Sequence, residues 1–260
     1  MPARSQVPGP REKELAIPSP DHRSRPGSGS APAPPRASAN QEGRPLPAGA
    51  ALFVACACGW LVMELEILGA RVLAPYFGSS VYVVMGSVIG VFLLSLSAGY
   101  MLGGWLSQGP RSALGLAISL LAAGMWLCAI PLLTRPACDG ILNLGFDDKW
   151  GSLLASLVLF SIPTALLGTV SPMAVRWLTR QASRSGFEAG LVLALSTVAG
   201  FAGCVVSAFY LVLLSVRRTL WTSGALTVAL GGVILLHVLL RRERHKPTKD
   251  NGKDTADSPL

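Results

Sequence analysis

Two carboxylates, Glu64 and Glu66, lie inside the apolar stretch WLVMELEILGARVLAP. At membrane depth an isolated carboxylate costs several kcal/mol unless it is paired, protonated or wetted. The two positions are about 200° apart on a helix, so both cannot face the bundle interior directly. Such a group can relay protons or bind a cation, or it can be a structural polar contact between helices. Both interpretations stay open for each carboxylate.

Other polar groups lie close by along the chain. Arg71 follows Glu64 by seven positions and therefore shares its helix face, although about 10 Å of rise rules out a direct bond along a straight helix. Tyr100, with Ser95 and Ser97 nearby, is a candidate for lining a polar path. A buried tyrosine hydroxyl is also often satisfied by a neighbour, so a structural role is the alternative.

A third candidate element is the stretch SIPTALLGTVSP, which contains Pro163, Gly168 and Pro172. This spacing predicts a broken or kinked helix. Transporters place binding sites at interrupted helices, because the freed backbone groups can coordinate a solute or ion. Kinked helices also occur without such a role.

The motifs of familiar catalytic and metal centres are not found in the sequence. The five cysteines form no CxxC pair, the three histidines do not cluster with them, and neither HExxH nor GxSxG occurs. We therefore predict no metal, no cofactor and no catalytic residue. We set nucleic-acid binding aside because no reader motif accompanies the basic charge.

The composition assigns these residues to a membrane protein. Of 260 residues, 51% are hydrophobic and 14% are charged, and the mean hydropathy is +0.50. Six apolar segments approach the length of about 20 residues that a spanning helix needs. They are Ala48–Leu68, Val81–Leu106, Leu114–Leu133, Leu153–Val175, Gly190–Leu214 and Leu220–Leu240. The predicted fold class is all-α, a polytopic membrane protein with six transmembrane helices.

The lysines and arginines predict the orientation. An even number of spans places both termini on one side, and 17 of the 22 basic residues fall on that side. By the positive-inside rule, both termini are expected to be cytoplasmic. Residues 1–47, rich in Pro, Ser and Arg, predict a disordered cytoplasmic tail, residues 48–240 the transmembrane domain, and residues 241–260 a basic cytoplasmic tail. The stretch 134–151 is expected to be the longest outer loop.

The apolar part, roughly residues 50–240, resembles the membrane region of the fused major-facilitator-like and spermidine-synthase proteins of bacteria. The resemblance rests on LEILGARVLAPYFGSSVYVVMGSVIGVFLLSLSAGYMLGGWL, IPTALLGTVSPMAVRWL and GLVLALSTVAGFAGCVVSAFYLV. The family's pattern falls on Glu66, Arg71, Pro75 and Gly78, then on Gly99, Tyr100, Gly103 and Gly104, on Pro163, Gly168 and Pro172, and on Gly190, Ser196, Thr197, Gly200 and Gly203. Glu64 lies outside it, so the resemblance favours Glu66.

The resemblance implies a bundle equivalent to one half of a major-facilitator protein, in a bacterial inner membrane. Family members continue into a soluble aminopropyltransferase-like domain, whereas about twenty polar residues follow Leu240 here. We therefore expect no catalytic activity. The leading functional hypothesis is transport or recognition of a small molecule, with a cationic polyamine-type solute as the candidate. Its expected binding residues are Glu66, Arg71, Tyr100, Glu64, Pro163 and Pro172.

The alternative is a non-catalytic membrane anchor or partner subunit of a separately encoded spermidine-synthase-like enzyme. An aminopropyltransferase-like or methyltransferase-like protein would then be the soluble partner. A homodimer is a further hypothesis, because a full transporter of this type needs two halves and the glycine-rich helix faces suit close packing.

Overall fold

The computed structural model of the chain describes residues 47–78, 81–109, 112–179 and 185–244, and in these ranges it contains helices and no strand. The predicted disordered tail lies outside the described residues, apart from Pro47. The last helix continues to Arg244, into the predicted basic tail. The rest of that tail also lies outside the described residues. The helices are α1 (Ala48–Phe77), α2 (Val81–Leu106), α3 (Ser112–Asn143), α4 (Asp148–Gly168), α5 (Val170–Leu178), α6 (Ser185–Phe209) and α7 (Val216–Arg244).

The seven helices of the described ranges form six spans that are long and apolar enough to cross a membrane, because α4 and α5 together make one interrupted span. This confirms the all-α, six-span prediction and fits a multi-pass integral membrane protein. Large apolar side chains such as Phe53, Met101 and Phe201 are exposed on the outside of the bundle. In lipid such side chains are well solvated, so the bundle needs no further cover there.

The helices associate in three main pairs, α3 with α7, α1 with α6, and α2 with α4. Each pair has a glycine where the two backbones approach: a methyl group at Gly59, Gly99 or Gly124 would collide with the facing helix. The glycine spacing in α2 thus has the packing role expected for Gly99 and Gly103, whereas Gly86 has nothing within 4 Å of that position. Helix α1 also contacts α2, α4, α5 and α7, so it is the central helix.

The predicted long outer loop over residues 134–151 is wrong. Helix α3 continues through Pro131 and Pro136 to Asn143, and α4 begins at Asp148. The extension is stabilised by packing, because Cys138 and Ile141 are buried in the core. Prolines at which a helix could end are therefore tolerated inside this one.

Candidate functional site

The predicted helix break is present, and it lies at Thr169. Helix α4 ends at Gly168 and α5 begins at Val170. The backbone N–H of Thr169 donates to the carbonyls of Leu166 and Leu167 instead of to the carbonyl of Ala165, four residues before it. Its hydroxyl donates to the Leu166 carbonyl as well, over 2.7 Å. The break therefore removes one α-helical bond about two thirds of the way along the span Asp148–Leu178.

The two prolines of this stretch have different consequences. Pro163 lies inside α4 and does not interrupt it. Because proline lacks an N–H, the carbonyl of Leu159 loses its helical donor, and the indole Nε1 of Trp126 in α3 donates to that carbonyl over 3.0 Å. Pro172 lies in α5 and likewise cannot donate to the carbonyl of Gly168.

A cavity of about 150 Å³ lies at the break, between α1, α2, α4, α5 and α6. Gly168 and Tyr100 are among its lining residues. The other polar residues around it are Ser171, Ser196 and Thr197, and the remaining lining is apolar or glycine. We call this the helix-break cavity. It unites Tyr100 with the break, two features that the sequence singled out independently.

The cavity presents hydrogen-bond acceptors more than donors. The hydroxyl of Ser196 donates to the carbonyl of Ala55 over 3.1 Å, and that of Thr197 donates to the carbonyl of Leu193 over 2.8 Å. Each of these two hydroxyls has one hydrogen, so what they leave for a ligand is the oxygen lone pairs, whereas the hydroxyls of Tyr100 and Ser171 can donate or accept. The carbonyl of Gly168 has lost its usual donor and is a further acceptor. A ligand rich in donors, such as an ammonium group, matches this set.

The two carboxylates of α1 occupy different environments. Glu66 is half-buried, and its carboxylate forms no hydrogen bond or ion pair with any residue in the described ranges. It follows the cavity-lining residue Met63 by three positions, about one helical turn further along α1. Glu66 itself does not line the helix-break cavity. Its expected role in binding therefore stays a prediction.

Glu64 connects α1 to α7. Its side chain is 3% exposed; one oxygen accepts the indole N–H of Trp60 over 2.9 Å, and the other accepts a short hydrogen bond from the hydroxyl of Ser223. Both oxygens thus have a donor inside the bundle. This geometry favours the structural interpretation for Glu64, as a polar contact between two helices.

Arg71 lies on the α7 side of α1 and not at the helix-break cavity. It lines a second cavity of about 580 Å³ between α1, α3 and α7. The two cavities share no lining residue. Of the six expected binding residues, Tyr100 lies at the helix-break cavity, and Pro163 and Pro172 flank the break. Glu64, Glu66 and Arg71 do not line that cavity.

The two hydrogen-bond partners of Glu64 were not predicted from the sequence. Trp60 precedes Glu64 by four positions, which is the spacing of neighbours on one helix face, so this donor could have been found. Ser223 is 159 residues away along the chain, and no local pattern indicates that it faces Glu64.

Searched against protein-family models, curated proteins and solved structures, the chain matches none of them. The resemblance to the fused major-facilitator-like and spermidine-synthase proteins therefore stays a prediction.

Proposed function

We propose that the protein is a transporter-like membrane bundle that recognises a small, donor-rich solute, with a cationic amine as the candidate ligand. The helix-break cavity carries this proposal, because it combines an interrupted helix with polar groups that accept hydrogen bonds. Transporters use such broken helices for the same purpose. The bundle would lie in a bacterial inner membrane with both termini in the cytoplasm.

The size of the cavity limits the ligand. A cavity of about 150 Å³ holds a molecule about the size of benzene. A polyamine is longer than that, so only one aminoalkyl end would enter the helix-break cavity. The rest of the chain would extend along α1 towards Glu66, about one turn away. The unpaired carboxylate of Glu66 is then the natural partner for a second ammonium group.

Binding of amines to the full-length protein in lipid nanodiscs tests the proposal. We expect saturable binding of propylamine and tighter binding of a diamine. Tyr100→Phe and Thr197→Val each remove one hydroxyl from the cavity and keep the side-chain volume nearly constant. A hydrogen bond to a charged group contributes about 1.5–3 kcal/mol, so each variant should weaken amine binding by about tenfold or more.

Tyr210→Phe is the matched control, since Tyr210 is exposed and lines neither cavity. The proposal fails if no amine binds saturably, or if Tyr100→Phe and Tyr210→Phe bind amines equally well.

Glu66→Gln should reduce the preference for a diamine over propylamine and leave propylamine binding unchanged. Flux of the diamine in proteoliposomes then separates transport from recognition.

The homodimer hypothesis has its best support on α2. Gly90 is exposed and, like Gly86 one turn before it, has nothing within 4 Å of where a Cβ would lie. Small residues at this spacing let two membrane helices approach closely. If this face forms a dimer, Gly90→Leu should shift the protein to a monomer in native electrophoresis. The anchor or partner-subunit alternative rests on the family resemblance alone.

A further inference from the structure

Three arginines from three helices converge on the second cavity. Arg71 of α1, Arg135 of α3 and Arg217 of α7 all line it, at the end of the bundle where α1 ends and α7 begins. No aspartate or glutamate is among its lining residues. Like charges repel one another, so a cluster of three cations without a counter-ion is unfavourable unless an anion binds there. We call this space the arginine cavity.

The arrangement is unusual for its side of the membrane. The span order predicts that only five of the 22 basic residues lie on this side, and three of these five line the arginine cavity. The positive-inside rule accounts for the scarcity of basic residues at this end, but it does not account for their convergence. A binding site does.

Arg71 lacks a partner of its own. It is half-buried, and its Nη1 atom is buried without a hydrogen-bond partner among the described residues. A buried guanidinium nitrogen that has lost water and gained no acceptor is costly. The acidic side chain on the same face, Glu64, lies about 10 Å deeper and is already hydrogen-bonded to Trp60 and Ser223.

The other two arginines line the same cavity from α3 and α7. Arg217 is held in place, with its guanidinium carbon 4.7 Å from the centre of the Trp221 ring. It lies in the first turn of α7, where the N–H groups have no helical acceptor and add positive potential. Arg135 is exposed, so the cavity can be reached from outside the bundle.

We infer that the arginine cavity is a binding site for a phosphate-type anion. Three guanidinium groups suit a phosphate better than a single carboxylate, because its several oxygens can accept paired N–H bonds from more than one arginine. The phosphate can come from a lipid headgroup, since the cavity is at the level where a 30-residue α1 leaves the hydrocarbon region. It can also be a free anion from the aqueous phase.

The test uses two probes on the full-length protein. Inorganic phosphate is titrated into protein in maltoside micelles without phospholipid, and native mass spectrometry counts phosphatidylglycerol that stays bound after extraction from mixed vesicles. The responsive probe is whichever of the two the wild type binds. We expect Arg71→Gln and Arg217→Gln to weaken its binding by at least about tenfold, since each removes a charge-assisted contact. Saturable phosphate binding identifies a free anion, and retained phosphatidylglycerol without phosphate binding identifies a headgroup.

Arg218→Gln is the matched control, because Arg218 is the next residue along α7 and does not line the cavity. It should bind the responsive probe as the wild type does. The inference is overturned if neither probe binds, or if Arg218→Gln weakens binding as much as Arg217→Gln. Arg217 is exposed, so its substitution is not expected to impair folding. The amine-binding test of the helix-break cavity uses different variants and a ligand of opposite charge, so either can fail alone.

Discussion

The hydrogen bond between Glu64 and Ser223 should stabilise the bundle measurably, because it joins α1 to α7 where both side chains are nearly inaccessible. Glu64 is 3% exposed and Ser223 is 8% exposed. Ser223→Ala removes the donor and leaves one oxygen of a buried carboxyl group without a partner. Such an unsatisfied group costs about 1–3 kcal/mol.

The pairwise energy itself is smaller than this cost. Hydrogen bonds to charged groups contribute about 1.5–3 kcal/mol in water-soluble proteins, whereas interhelical hydrogen bonds in membranes average about 0.6 kcal/mol and reach about 1.7 kcal/mol. Since Glu64 and Ser223 are both buried, we expect a coupling energy of about 1–2 kcal/mol, near the upper end of the membrane range.

A double-mutant cycle measures this energy. Glu64→Leu, Ser223→Ala and the combined variant are unfolded reversibly in mixed micelles with increasing dodecyl sulfate, and the free energies of unfolding are compared. The two single changes should cost more in sum than the combined variant does. Thr222→Ala is the matched control: Thr222 is exposed, its hydroxyl donates within α7 to the carbonyl of Thr219, and its loss should cost under about 0.5 kcal/mol.

The reasoning is refuted if the coupling energy is zero within error. It is also refuted if Ser223→Ala costs no more than Thr222→Ala. Either result would mean that Glu64 obtains its stabilisation from a group other than Ser223, and that α1 and α7 are held together by apolar packing.

Two further changes test the packing around the break. Trp126→Phe removes the donor for the Leu159 carbonyl and should lower the free energy of unfolding by about 1–3 kcal/mol; Pro163→Ala in that background supplies a backbone N–H and should recover part of the loss. Gly99→Val places a side chain against the Ala165 carbonyl and should cost more than about 2 kcal/mol, whereas Gly104→Val, which meets nothing within 4 Å, should be nearly neutral in the same unfolding assay.

The spans and the break could be predicted from the sequence because local composition determines them. Twenty apolar residues suffice to identify a spanning helix, and the Pro163, Gly168 and Pro172 pattern indicated an interruption. The continuation of α3 past Leu133 and through Pro136 could not be predicted this way. A proline weakens a helix locally, and only the burial of Cys138 and Ile141 against other helices shows that packing compensates.

The candidate site was predictable only in part, for a related reason. Tyr100 and the helix break were singled out separately, but their meeting at one cavity depends on how α2 packs against α4 and α5. The convergence of Arg135 and Arg217 on Arg71 also joins residues far apart along the chain. A charge count along the chain treats these arginines as a topology signal, and it contains no information about their distance in space.

Helix α1 separates the two proposed sites, and its geometry explains why they can select ligands of opposite charge. Gly59 and Met63 turn one face of α1 to the helix-break cavity, while Glu64 and Arg71, seven positions apart, turn another face to α7. From Met63 to Arg71 helix α1 rises about 12 Å and turns by about 80°, so the two ligands lie at least about 12 Å apart, mainly along the helix axis. At that distance and at an effective dielectric constant of about 20, two unit charges of opposite sign attract each other by about 1.4 kcal/mol or less. An ammonium group in one cavity and a phosphate in the other would therefore not compete, and an anion bound by the arginines is compatible with a cationic solute further along α1.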